Sequence, residues 1–344
     1  MLLDGIFAAI TTPFYSDERP YLRKLEANVA HYSRSPLAGL LVLGSTGEST
    51  QLNDAETAEI LNTAAAAAAP GKSLIAGISR DSVSATLELA ELAARANYDA
   101  VLVRMPGYYR RAMTDLNLLT YFRAIADRSP LPVVLYNIPQ CVQFDLPVEI
   151  VAELAQHPNI IGIKDSSGDL DRLKKTIALT SNAPRRQVTV TPIFEFVTGR
   201  MLKGAAPAGE LVGINGVAAA PASAALKTRS KEVGFQVMTG AATTTLDALE
   251  AGATGATLAL ADFAPQAATD IYNAWKDHDP ALARAKQNLI DPVARLIVHQ
   301  LGIPGVKYAC DFNGYYGGNC RKPLLPLTAA QKNDVEKMLL NMRN

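Results

Sequence analysis

The chain has 344 residues, nearly half of them apolar (49%), so it has the material for a large buried core in one domain or two. Lysine plus arginine equals aspartate plus glutamate at 33 each, and this zero formal charge argues against a global electrostatic footprint for nucleic acid. No apolar run reaches membrane-spanning length, and no basic segment with a signal-type apolar core opens the chain, so a cytoplasmic location is expected.

In chain order, short β-rich runs alternate with longer helical patterns. Strands are expected at Ile6–Thr11, Gly39–Leu43, Ser73–Gly77, Ala100–Arg104, Pro132–Tyr136, Ile160–Lys164, Phe235–Thr239 and Gly255–Leu260. Helices are expected near Leu22–Tyr32, Asp54–Ala69, Ser82–Ala96, Asp115–Arg128, Pro147–Gln156, Leu170–Leu179 and Thr243–Ala251. Eight strands with helical crossovers predict a parallel sheet, most simply closed into a (β/α)8 TIM barrel. An open doubly wound sheet is the alternative, weakened because no Gly-x-Gly-x-x-Gly opens the first helix. The barrel is expected over residues 1–260. The segment of about 181–232 is too long for a βαβ repeat of roughly 30 residues, so it reads as an insertion before the seventh strand, either a lid or oligomer contact or a tolerated surface excursion. It holds a β-like run at Gln187–Thr191 and a small-residue run at Val217–Ala225. Residues 261–344 read as a C-terminal helical region broken near Gly302–Gly305 and Gly314–Gly318.

The strand ends carry the chemistry. Lys164 closes the apolar run Asn159-Ile160-Ile161-Gly162-Ile163, just before the polar turn Asp165-Ser166-Ser167-Gly168-Asp169. Stripping water from an ammonium is costly, so a lysine in such a setting tends toward the neutral amine, the form that attacks a carbonyl. The second strand ends in Gly44-Ser45-Thr46-Gly47-Glu48, whose hydroxyls and backbone N–H groups suit a carboxylate, although the same residues would also make a capped βα turn. The turn is neither a phosphate loop nor a nucleophile elbow. Tyr136, before Asn137-Ile138-Pro139, could relay protons or plug the barrel as an aromatic, and Tyr108-Tyr109 could serve a site or an interface. In a barrel these C-terminal strand ends converge on one mouth. His31, His157, His278 and His299 are scattered, and no metal-ligand spacing occurs, so no metal site is expected. Cys141, Cys310 and Cys320 are odd in number and widely spaced, as for reduced thiols.

These motifs together resemble the class I, Schiff-base family of dihydrodipicolinate synthase and N-acetylneuraminate lyase. The matching blocks are Gly44–Glu48, Tyr108-Tyr109, Tyr136–Pro139 and Gly162–Asp169, and the likeness covers Asp4 to about Ser181 and resumes at Phe235. Within the family, Pro106–Arg110, Gln156–Gly162 and Gly314–Leu324 are most similar to the 4-hydroxy-2-oxoglutarate aldolase branch. The resemblance implies a (β/α)8 barrel, a homo-oligomer (dimer or tetramer), and an imine between Lys164 and pyruvate that needs no cofactor. It also implies proton transfer by Tyr136 with Ser45, and a relay tyrosine, Tyr109, from a neighbouring subunit. The pyruvate pocket would be lined by Ser45, Thr46, Ser166, Gly240 and Thr257. The implied substrates are pyruvate and a 4-hydroxy-2-oxo acid, with no nucleic-acid or membrane partner. The alternatives are condensation of pyruvate with aspartate semialdehyde, or a non-catalytic pyruvate-binding homologue. Two positions depart from the pattern. Cys141 stands where the synthases have an arginine for the second substrate's carboxylate, and Thr46 stands where the aldolase branch has asparagine.

Overall fold

In a computed structural model, which describes residues 1–190, 229–340 and 342, eight parallel strands close into a barrel. They are β1 (Gly5–Ala9), β2 (Gly39–Val42), β3 (Ser73–Gly77), β4 (Ala100–Arg104), β5 (Val133–Asn137) and β6 (Ile160–Asp165), followed by β9 (Gln236–Thr239) and β10 (Gly255–Leu258). β10 pairs with both β9 and β1, which completes the ring. The closed (β/α)8 arrangement is thus the observed one, and each barrel strand lies within two residues of its expected bounds at either end. The expected helix starts coincide with capping side chains. Asn53 and Glu56 form a reciprocal capping box before Asp54–Ala67, Thr114 caps Asp115–Arg128, and Asp169 caps Leu170–Leu179.

Alternation along the strands sorts two cores. Phe7, Leu41, Ile75, Leu102, Val134, Tyr136 and Met238 fill the barrel interior. Their neighbours, including Ile6, Ala8, Leu40, Val103, Leu135 and Ile163, pack outward against the helices. The C-terminal helices pack on this outer layer, with Pro265–Lys276 lying against β1. Gly302, at φ 63°, separates the segment ending at Gln300 from the helix Gly302–Phe312, where the sequence suggested a break.

Between the sixth helix and β9, strands β7 (Arg186–Val190) and β8 (Arg229–Val233) form an antiparallel ribbon. Its root sits on the rim opposite the strand C-termini. Arg186 donates to the carbonyls of Ile161 and Gly234, both at 3.2 Å, and Lys231 lies 3.9 Å from Asp4. The remainder of the insertion, with the Val217–Ala225 run, falls outside the described residues.

Parallel pairing is regular except between β5 and β6. Val133 pairs with Ile160 but Val134 with Gly162, so β6 holds one extra residue. Ile161 consequently joins the interior cluster although Ile160 and Ile163 both pack outward. A Cβ on Gly162 would fall 2.3 Å from the Gln236 carbonyl oxygen and 2.9 Å from Leu3 Cδ1. Only glycine fits here without moving β9. Gly162→Ala is expected to cost about 1–3 kcal/mol of stability, measured by urea denaturation, because backbone rather than a flexible side chain must yield. Unchanged stability would show that β9 adjusts freely.

Candidate active site

The bulge sets the level of the two central side chains. Past it, Tyr136 pairs with Lys164, side by side in adjacent strands and both pointing into the barrel. Lys164 is 5% exposed and Tyr136 is 4% exposed. Lys164 Nζ lies 3.3 Å from Tyr136 Oη and 4.5 Å from the centre of its ring. On the other side Ser45 Oγ approaches Tyr136 Oη at 3.5 Å, a long contact that completes a serine–tyrosine–lysine row.

Gly240 closes the row from β9. A Cβ there would lie 3.0 Å from Lys164 Cε and would overlap Ser166 Oγ, so only a bare backbone lets both side chains pack at this point. Thr257 is buried on β10 with its hydroxyl 3.9 Å from Met238 Sδ, and Met238 is the other register partner of Lys164. Thr46 shares the 3-10 turn Ser45–Gly47 with Ser45. The structure therefore gathers Lys164, Tyr136, Ser45, Ser166 and Gly240, with Thr46 and Thr257 on the same rim.

Tyr109 stands apart. It is 68% exposed and stacks edge-on with Tyr108 in the loop after β4, and none of its contacts among the described residues joins it to Lys164. That loop and the short helix Pro139–Val142 border an open cleft of about 560 Å³, lined by Tyr109, Arg110, Arg111, Cys141 and Gln143 among others. Arg110 donates to Gln143 Oε1 at 2.8 Å, and Gln140 ties the short helix to the Ser166 carbonyl at 2.7 Å. Cys141 is an exposed free thiol. Among the described residues no cluster of His, Cys, Asp and Glu could hold a metal ion.

Several positioning residues went unrecognised in the sequence. Asp165, 2% exposed, accepts from Arg172 Nε (2.8 Å), Asn137 Nδ2 (3.2 Å) and the Ser167 N–H (2.8 Å). Asn137 also bonds Asp145 and the Leu146 N–H, and Arg172 donates to the Leu146 carbonyl at 2.5 Å. This network welds the tips of β5 and β6 immediately after Tyr136 and Lys164. Its signal lay inside the motif blocks, where Asn137 and Asp165 read only as turn formers.

The turn after β2 is also unusual. Leu43 (φ 59°) and Glu48 (φ 56°) bracket Gly44–Gly47, both left-handed, non-glycine and buried. Arg321 from the C-terminal segment reaches this turn, donating to the Gln51 and Glu18 carbonyls and in a two-pronged bond to Glu56. Those Arg321 hydrogen bonds hold the Glu56 carboxyl below the usual glutamate value.

A model of the dihydrodipicolinate synthetase family matches residues 2–184 and 209–342. The chain belongs to that family. The match resumes inside the insertion, leaving residues 185–208 unmatched. A 4-hydroxy-tetrahydrodipicolinate synthase of Methanococcoides burtonii is 26% identical over 99% of this chain and 97% of its own length. One from Stenotrophomonas maltophilia is 37% identical over 53% of this chain and 60% of its own. The fold is shared with a prophage protein of the dihydrodipicolinic acid synthase family from E. coli K12, solved with pyruvate (TM-score 0.79, 24% identity, 99% of both chains). The family's enzymes are class I lyases and aldolases that work through a lysine Schiff base, so this chain is a class I carbon–carbon lyase. Both of these relatives carry the synthase name, so the expected likeness to the 4-hydroxy-2-oxoglutarate aldolase branch is not confirmed.

Arg172→Met would leave Asp165 buried without its cation, a change expected to cost about 3–5 kcal/mol. Adding Asp165→Asn should restore part of that in thermal unfolding. Equal stability of Arg172→Met and the parent would show that the network contributes little.

Proposed function

We propose that the protein forms and breaks the bond between pyruvate and an aldehyde that carries its own carboxylate, with Lys164 as the imine-forming residue. The observation that carries this reading is the buried Lys164–Tyr136 pair, with the Ser45 hydroxyl behind it and Ser166 and Lys164 packed against the bare backbone of Gly240.

Lys164 Nζ attacks C2 of the 2-oxo acid, the 4-hydroxy-2-oxo acid in cleavage or pyruvate in condensation, and the carbinolamine loses water to give a protonated imine. In the cleavage direction the C4 hydroxyl loses its proton to the Tyr136–Ser45 relay. The C3–C4 electron pair then falls into the imine, and the aldehyde leaves. Protonation of the enamine at C3, then hydrolysis, returns pyruvate and the free lysine. Condensation runs the same steps backwards. Ser45, Thr46 and the N–H groups of their turn hold the pyruvate carboxylate, while Ser166 and Thr257 line the pocket. Burial of Lys164, Tyr136 and Thr257 makes their polar contacts stronger than they would be in water. Exposed Tyr109 fits a residue lent to a neighbouring subunit's relay, in a homo-oligomer.

The identity of the aldehyde turns on the cleft beyond the short helix. Position 141 offers a neutral thiol, but Arg110 and Arg111 line the same cleft and supply cationic donors for a distal carboxylate. The names of the curated relatives favour aspartate semialdehyde, hence a synthase. Cys141 favours a second reading, cleavage of a 4-hydroxy-2-oxo acid such as 4-hydroxy-2-oxoglutarate. Initial rates with pyruvate plus aspartate semialdehyde, set against cleavage of 4-hydroxy-2-oxoglutarate, separate the two.

Borohydride added with pyruvate should attach the reduced three-carbon unit to Lys164 alone, read by peptide mass mapping. Labelling that persists in Lys164→Ala would sink the assignment. Tyr136→Phe should still be trapped by borohydride, yet turn over about 10²–10⁴-fold more slowly. Full activity after exhaustive EDTA treatment is the expected result, and its loss would point to a metal.

A further inference from the structure

We propose that Lys307, on the C-terminal helix Gly302–Phe312, is a positioning residue for the substrate-carboxylate turn, acting through Glu48. The inference rests on the reading of Gly44–Gly47 as the turn that holds pyruvate.

Lys307 is 1% exposed although it is a lysine, and its Nζ sits 2.6 Å from Glu48 Oε1. It also donates to the Asn319 carbonyl at 2.6 Å and lies 4.4 Å from the centre of the Phe14 ring. The other Glu48 oxygen accepts the Arg321 N–H at 2.9 Å. Two elements of the C-terminal segment therefore grip one carboxylate, and that carboxylate belongs to the residue directly after Ser45-Thr46-Gly47.

The backbone explains why the grip bears on the site. Glu48 is the hinge between the 3-10 turns Ser45–Gly47 and Ser49–Gln51, held left-handed at φ 56° and ψ 32°. Its N–H bonds the Ser45 carbonyl at 3.1 Å and its carbonyl accepts from Gln51 N–H at 2.9 Å. On the other flank Thr12 Oγ1 donates to the Gly47 carbonyl at 2.7 Å. A glutamate does not choose this conformation freely, so the strained φ persists because its side chain is anchored. Release of the anchor lets Glu48 relax toward ordinary backbone angles, which rotates the Ser45 and Thr46 groups away from the carboxylate. Lys164 and Tyr136 stand on β6 and β5 and lie outside this device, whereas Ser45 belongs both to the turn and to the proton relay. Borohydride trapping at Lys164 reads pyruvate binding without the aldol proton transfer, so it isolates the effect on binding.

The experiment compares wild type, Lys307→Met and the double variant Glu48→Gln/Lys307→Met, which removes both charges and protects folding if the single variant leaves Glu48 unpaired. Arg284→Ala, at an exposed ion pair with Asp247, is the control and should match wild type. In folded variants, KM for pyruvate should rise about tenfold or more, with a fall in kcat alongside it because Ser45 leaves the relay as the turn relaxes. The pyruvate concentration giving half-maximal borohydride trapping at Lys164 should rise in parallel. Unchanged half-maximal trapping in both variants, or a fall in kcat alone, overturns the proposal. Wild type that traps no pyruvate at Lys164 would instead overturn the reading of the site itself.

Discussion

Adjacent parallel strands keep their side chains level only while the register holds, and β6 breaks register once, at Ile161–Gly162. Without that extra residue Tyr136 would stand opposite Ile163, and the strand would turn Lys164 outward toward the helices. With it, an amine and a phenol meet 3.3 Å apart inside the barrel. The bulge in turn depends on Gly162, the one residue that tolerates the Gln236 carbonyl at such close range.

Around this pair the protein spends its buried charge on keeping strand ends still. Asp165, Arg172, Asn137 and Asp145 bind the tips of β5 and β6 to each other. Glu48, Lys307 and Arg321 bind the turn after β2 to the C-terminal segment. Neither network is a cheap source of stability, because stripping water from paired ions offsets most of their attraction. What they supply is geometry. A lysine, a tyrosine and a carboxylate turn come from three different strands, and each must be held within a fraction of an ångström to act together. The C-terminal helices thus do more than cover the barrel, since one of them reaches the rim where substrate would bind.

The same architecture separates reaction from selectivity. In the interior row Tyr136 and Lys164 are buried, with Ser45 half-buried beside them. Arg110, Cys141 and Gln143 lie farther out on loops that can change without disturbing the strands. Substitutions in those loops can therefore alter the outer cleft without moving the interior row.

The sequence by itself determined the strand and helix order, favoured the closed barrel over an open sheet, and put the candidate site residues at strand ends. These follow from local signals: apolar runs of strand length, capping side chains, and polar turns at successive strand ends. Only the tertiary structure decided which way Lys164 points, because simple alternation from Ile160 would have sent it outward and the bulge is a property of three strands together. It alone brought Lys307 and Arg321 to Glu48 across more than 250 residues of chain. It also gave Cys141 the arginines that share its cleft. Such contacts arise where distant segments are buried against one another, and spacing along the chain carries no trace of them.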